Sequence, residues 1–337
     1  VWGTGNSDVC YSDRDHLEAA GHSCVLKDAA VLETSYEVER LISQGIVDAG
    51  LIIHLYKAGR FLLGKSIPFG AIFGGTDINE DVKNEEKHRV IGDVLKEARF
   101  ALAFSREIKV MATKNWPHAK HKIYIQPQGI STKPSENFDY EAFLLNAGIQ
   151  VSPWNLQLFL LICGLRRVKD PLYLAEIFAE WHKKYPSVYL AIIGPTVDLV
   201  FTKEVTEKLQ DINGVCLIKE IPYLDLQAVL KRSFAVVNSS LSEGMSAAIL
   251  EAMDLEVPVL ARDIPGNSAI IKHEETGLLF STPQEFVQLA ERLISEPELK
   301  RRIISNAKNY VHINHSWKVE RQMYQTLIQK LQVNENT

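Results

Sequence analysis

Only four cysteines occur in the 337 residues, Cys10, Cys24, Cys163 and Cys216, and none forms a Cys-x-x-Cys pair. Two of them lie inside apolar runs, the placement of reduced thiols used as small hydrophobes. That favours a reducing compartment, the cytoplasm. A secreted or lumenal site stays open, because the chain starts at Val1 with neither an initiator Met nor a signal-like apolar stretch. Long apolar runs are also missing: Leu156 to Leu165, broken by Gln157, is about half of the ~20 residues that span a bilayer. Nor is there an excess of cations. With 37 basic and 42 acidic residues the formal charge is −5, which argues against a nucleic-acid partner.

What is present is a globular composition, 46% hydrophobic and 23% charged, long enough for two domains. Apolar, β-branched runs at Leu158 to Cys163, Val188 to Ile193, Val215 to Ile218, Phe234 to Val237 and Val257 to Leu260 alternate with segments of helical period. Because these runs are apolar on both faces, they predict a parallel sheet covered above and below by helices. A less regular version of the pattern fills the first half, with runs at Ser23 to Leu26, Ala49 to Leu55, Pro68 to Phe73, Arg99 to Phe104 and Lys122 to Gln126. The polar stretch Ser131 to Asn155 reads as a linker, and everything after Pro283 reads as helix. The expected domains are therefore 1–150, 151–315 and a final helix over 316–337.

The segment carrying most chemistry is Asn238 to Asp254, NSSLSEGMSAAILEAMD. A buried strand gives way to a loop of small residues and then a helix, so that the free N–H groups of Gly244, Met245 and Ser246 offer an anion site. Glu243 and Glu251 are eight residues apart, at most ~12 Å on a helix rising 1.5 Å per residue. Two carboxylates at that spacing can accept hydrogen bonds from the diols of a nucleotide sugar.

This Glu-x7-Glu motif, followed by VPVLA and PGNSAIIKHEETGLLF, resembles the signature of the family 4 retaining glycosyltransferases. Further blocks extend the resemblance: GLRRVKDP, IIGP, QPQGIS and HSWKVERQMY. It implies the α/β GT-B fold, two facing Rossmann-like doubly wound domains with a C-terminal helix crossing back to the first. The implied activity is hexosyl transfer, of the EC 2.4 class, from a nucleotide-diphosphate sugar to an acceptor hydroxyl, with retention of configuration. No metal or other cofactor is implied, and the sequence contains no Asp-x-Asp segment.

By the same resemblance Glu243 contacts the donor sugar and Glu251 the ribose, while Gly244, Met245, Ser246 and Gly194 border the donor. Lys169 would neutralise the departing diphosphate. The family's usual Arg falls on Gly164 here, which leaves Arg166 or Arg167 as its replacement. His54, at the end of a first-domain strand, matches a family His near the donor sugar. Gly3, Gly5, Gly75, Thr76, Asp77 and Gly129 match acceptor-side positions. Since only Val1 and Trp2 precede Gly3, the first strand is expected to be missing from a shortened first domain that is poorly ordered or repaired by another segment. Two other activities stay open: a catalytically impaired nucleotide-sugar-binding protein of the same fold, and an NAD-dependent oxidoreductase. Gly3-Thr-Gly5-Asn lacks the third glycine that the latter needs.

Overall fold

A computed structural model describes residues 2–3, 14–29 and 36–332. The chain forms two compact units, Val1–Gly129 with His315–Thr337, and Ile130–Asn314.

The first unit is built on a six-stranded parallel sheet. Its strands are β1 (Trp2–Gly3), β2 (Lys27–Asp28), β3 (Gly50–Ile53), β4 (Phe69–Ile72), β5 (Phe100–Ala103) and β6 (Ile123–Ile125), in the order β2-β1-β3-β4-β5-β6. The position expected to lack a strand thus holds Trp2–Gly3, paired with Lys27–Asp28 on one side and through Trp2 with Ile52 on the other. Every residue of β3, β4 and β5 is buried, as a sheet covered on both faces requires. Ile52 and Ala71 face one core, with Val94, Leu95 and Trp116. Leu51, Ile53, Ile72 and Phe100 face the other, where Tyr324, Leu327 and Leu331 of the last helix cover them. Gly129 abuts the start of that helix, since a Cβ there would lie 2.7 Å from Trp317 Cα.

In the second unit the strands are β7 (Gln157–Ile162), β8 (Val188–Ile193), β9 (Val215–Ile218), β10 (Ala235–Asn238), β11 (Val259–Arg262) and β12 (Leu278–Phe280). All pairs are parallel, in the order β12-β11-β10-β7-β8-β9. Winding runs outward from β7 in both directions, so the switch point lies between β7 and β10.

Two expectations need correction. The stretch Ser131 to Asn155 belongs to the second unit, because the helix Tyr140–Asn146 buries Tyr140, Phe143 and Leu144 against its sheet. Its polar surface residues mask an amphipathic helix, and the boundary falls at Gly129/Ile130 instead of 150/151. The helix expected after Pro283 is three helices, Pro283–Ser295, Pro297–Asn314 and Trp317–Gln332, the second of them opening on a proline. Among the described residues no helix is long and apolar enough to cross a membrane.

Candidate functional site

Doubly wound sheets present ligand-binding loops at the C-terminal ends of the strands beside the switch point. In the second unit these are the loops after β7 and β10. Leu241 N donates to Val168 O at 2.8 Å, and the Ser239 hydroxyl donates to the carbonyls of Lys169 and Asp170 at 3.1 and 2.9 Å. The two loops are stitched together by these contacts.

Across the stitch Lys169 Nζ meets Glu243 Oε1 at 2.6 Å, and both side chains are largely buried. The same oxygen accepts from the Ser240 hydroxyl at 2.7 Å and from Asn238 Nδ2 at 3.2 Å, whereas Oε2 has no partner among the described residues. One oxygen anchors the carboxylate and the other is left to accept a donor.

Asn238 is the hub of the loop. Its Oδ1 accepts from Ser240 N at 3.1 Å and from Asn267 Nδ2 at 3.1 Å, and its Nδ2 also reaches the Ser246 hydroxyl at 3.4 Å. Gly266 approaches the main chain of Glu243 so closely that a Cβ there would sit 2.1 Å from the Glu243 carbonyl oxygen. Sequence reasoning missed Ser240, Asn267 and Gly266 as parts of the site. The available signal was a polar Asn-Ser-Ser run closing an otherwise apolar strand.

The helix Ala247–Asp254 begins at Ser246, which makes no side-chain cap. Its leading amides therefore keep the partial positive charge of a helix N-terminus beside the Lys169 and Glu243 pair. Gly244 is exposed in the approach loop, while Met245 leans on the core beneath. On the same helix Glu251 is 7% exposed and accepts a 2.6 Å hydrogen bond from the Tyr223 hydroxyl.

The remaining residues predicted for this unit are used differently. Arg167 turns to Glu204 at 2.7 Å and lies over the Phe201 ring, and Arg166 is exposed. Gly194 lets the ends of β7 and β8 lie close together, since a Cβ there would come within 2.0 Å of the Cys163 carbonyl oxygen. Burial pushes the Cys163 thiol up to about 12, so it is no thiolate nucleophile near neutral pH.

Residues 150–310 match the model of the glycosyl transferases group 1 family. Over 333 residues the chain is 76% identical to glycosyltransferase 1 domain-containing protein 1 of Xenopus tropicalis, covering 99% of this chain and 96% of that protein. The chain belongs to the group 1 glycosyltransferases. Solved structures similar to this glycosyltransferase include Anabaena HepE in complex with UDP-glucose, with a TM-score of 0.75 and 15% identity over 97% of this chain and 98% of that one. A glycosyltransferase from Rickettsia africae has a TM-score of 0.73 and 16% identity over 100% and 98%. At such identities the likeness is one of fold, GT-B.

The first unit of this glycosyltransferase holds the predicted acceptor-side residues and His54. His54 directly follows β3 in the left-handed region, at φ 68°, where a non-glycine residue stays only if its surroundings hold it. Its Nδ1 is 3.0 Å from the Thr76 hydroxyl, and its ring fills the space over Gly74, where a Cβ would lie 1.9 Å from Nδ1. Burial, with Lys57 nearby, lowers its pKa to about 4, so the ring is neutral at pH 7. Asp77 Oδ2 is 3.8 Å away, too far for a hydrogen bond.

Asp77 instead accepts from the backbone N–H groups of Gly74, Leu55 and Tyr56 at 2.8, 3.0 and 3.2 Å and is 0% exposed. Burial raises its pKa to about 6 against those three donors. Its carboxylate organises the loop. Gly75 opens the short helix Gly75–Asn79, Gly3 is in β1, and Gly5 lies outside the described residues. Among the described residues no three His, Cys, Asp or Glu side chains cluster as a metal site.

Proposed function

We propose that this protein is a retaining glycosyltransferase that moves a hexose-type sugar from a nucleotide-diphosphate sugar to an acceptor hydroxyl. The observation that carries the reading is the Lys169–Glu243 contact at the switch point, beside an uncapped helix N-terminus. In this reading the ammonium of Lys169 and the amides at Gly244 to Ser246 stabilise the leaving diphosphate, and no metal ion is needed for that charge. Glu243 holds a sugar hydroxyl through Oε2. Glu251, oriented by Tyr223, accepts from the ribose hydroxyls.

The acceptor oxygen bonds to the anomeric carbon on the face from which the phosphate departs, and its proton passes to a phosphate oxygen. The UDP-glucose bound by the Anabaena relative supports the donor class. Thermal shifts with UDP-, GDP- and ADP-sugars test it: a donor at 100 times its Kd adds ~2.7 kcal/mol of stability. Absence of any shift across the panel overturns the reading, and an inverted anomer in the product overturns retention.

A second reading, donor binding without transfer, is favoured by Arg167. That cation pairs with Glu204, so it is engaged on the helix Leu199–Leu209 instead of making good the Gly164 position. Donor-dependent stabilisation with no consumption of the donor identifies this case.

A further inference from the structure

At the C-terminal end of β11 a strand apolar through Ala261 closes on a cation, Arg262. Its guanidinium is committed on three sides. Nη1 donates to Asp170 Oδ2 at 3.0 Å and to the Ser239 carbonyl at 3.3 Å, and the carbon at its centre lies 3.9 Å from the centroid of the Tyr173 ring. Tyr173 is fixed in turn, its hydroxyl donating to Ser281 O at 2.8 Å just past β12. Asp170 is the residue after Lys169, and its backbone is left-handed at φ 43°, an arrangement that a non-glycine residue keeps only under outside restraint. The Ser239 hydroxyl bonds the carbonyls on both sides of that restraint, those of Lys169 and Asp170.

We infer that Arg262 is a positioning residue for Lys169. By clamping the Asp170 carboxylate and the Ser239 carbonyl together, it fixes the backbone from which Lys169 reaches Glu243. The inference rests on the proposed role of Lys169 toward the donor, but the brace itself is a property of the unliganded protein. An arginine suits the task because one Nη1 serves both acceptors while the planar guanidinium face stacks on the Tyr173 ring, and a lysine, which has no such face, cannot reproduce the pair in full.

The test reads the brace without any donor. Reductive methylation of the whole protein, followed by peptide mass spectrometry, gives the rate at Lys169 relative to exposed Lys231. Arg262→Met and Asp170→Asn should each raise that ratio several-fold, Arg262→Lys should fall between Met and wild type, and the double variant should be no faster than the faster single one. An unchanged ratio in both single variants, or singles that multiply in the double variant, overturns the inference. If Arg262→Met does not fold, Asp170→Asn and Arg262→Lys decide it.

Donor turnover is the second readout, with UDP-glucose as probe. The brace predicts that kcat falls roughly 10- to 100-fold, the scale of a misplaced group, while KM stays within about twofold. Equal kcat in wild type and Arg262→Met also overturns it. Should the wild type neither bind nor consume any nucleotide sugar, the proposed function fails, and the methylation ratios still decide the brace.

Discussion

Glu243 and Asp77 are both carboxylates following a strand end, one in each unit, and they are used in opposite ways. Asp77 spends both oxygens on three backbone N–H groups and has no exposed surface. Glu243 spends one oxygen on Lys169, Ser240 and Asn238, all through side chains, and keeps the other. A carboxylate serving main-chain donors builds a loop. One held by side chains, with an oxygen to spare, is able to accept from a ligand, as the proposed function requires. Donor identity therefore separates scaffold from site where residue type and place in the fold do not.

Removing Asp77 should have the largest effect. Asp77→Ala leaves three backbone N–H groups without their acceptor, and at about 1 to 3 kcal/mol for each buried unsatisfied group the first unit should lose at least ~3 kcal/mol. Urea unfolding checks this; a loss under about 1 kcal/mol breaks the comparison by making Asp77 available for other work.

Lys169→Ala comes next, and it should act on rate. Loss of one preorganised contact to the leaving group should lower turnover by roughly 10²- to 10³-fold, with donor affinity reduced far less. Unfolding midpoints within a few degrees of wild type should accompany it; a loss of stability like that of Asp77→Ala would make Glu243 a scaffold carboxylate too.

The smallest effect is a titration. His54 has its pKa lowered from 6.5 to about 4 by burial, so its contribution to stability is full above pH 6.5 and is lost as pH falls toward 4. Asp77, raised from 3.8 to about 6, runs the other way: the pH-dependent part of its contribution is full below pH 3.8 and is lost as pH rises through 6, while its hydrogen bonds to the three backbone N–H groups remain. The two nearly offset over one window. His54→Phe should therefore expose a stability that declines from pH 3.8 to about 6, and NMR of the His54 ring in the wild type should show little protonation above about pH 5. A midpoint near 6.5 would remove the opposition.

The sequence made the strands readable because β7 and β8, buried on both faces, are apolar at nearly every position. The expected Val188 to Ile193 matches both ends of β8 and Val215 to Ile218 both ends of β9, while β7 begins and ends one residue before the expected Leu158 to Cys163. Trp2–Gly3 was not legible as a strand because two residues carry no periodicity, and β12, three residues long, is hardly better. At the site, Glu243 and Lys169 were each legible, but 74 residues separate them and only the sheet order brings them together. Arg262 was invisible for the opposite reason: it looks like an ordinary surface charge at a strand end until Asp170 and Tyr173 are in place. Gly-Gly-Thr-Asp reads the same whether its carboxylate faces outward or inward, and the backbone donors that decide the matter have no sequence signature.

The last helix has a consequence for the order of assembly during synthesis. Residues 130–314 are contiguous and can complete their unit as they leave the ribosome. The first unit cannot, although it is made first. Its face at Leu51, Ile53, Ile72 and Phe100 waits for Tyr324, Leu327 and Leu331. At roughly 5 to 20 residues per second that wait is on the order of tens of seconds, during which an apolar sheet face stands open to chaperones and to other nascent chains.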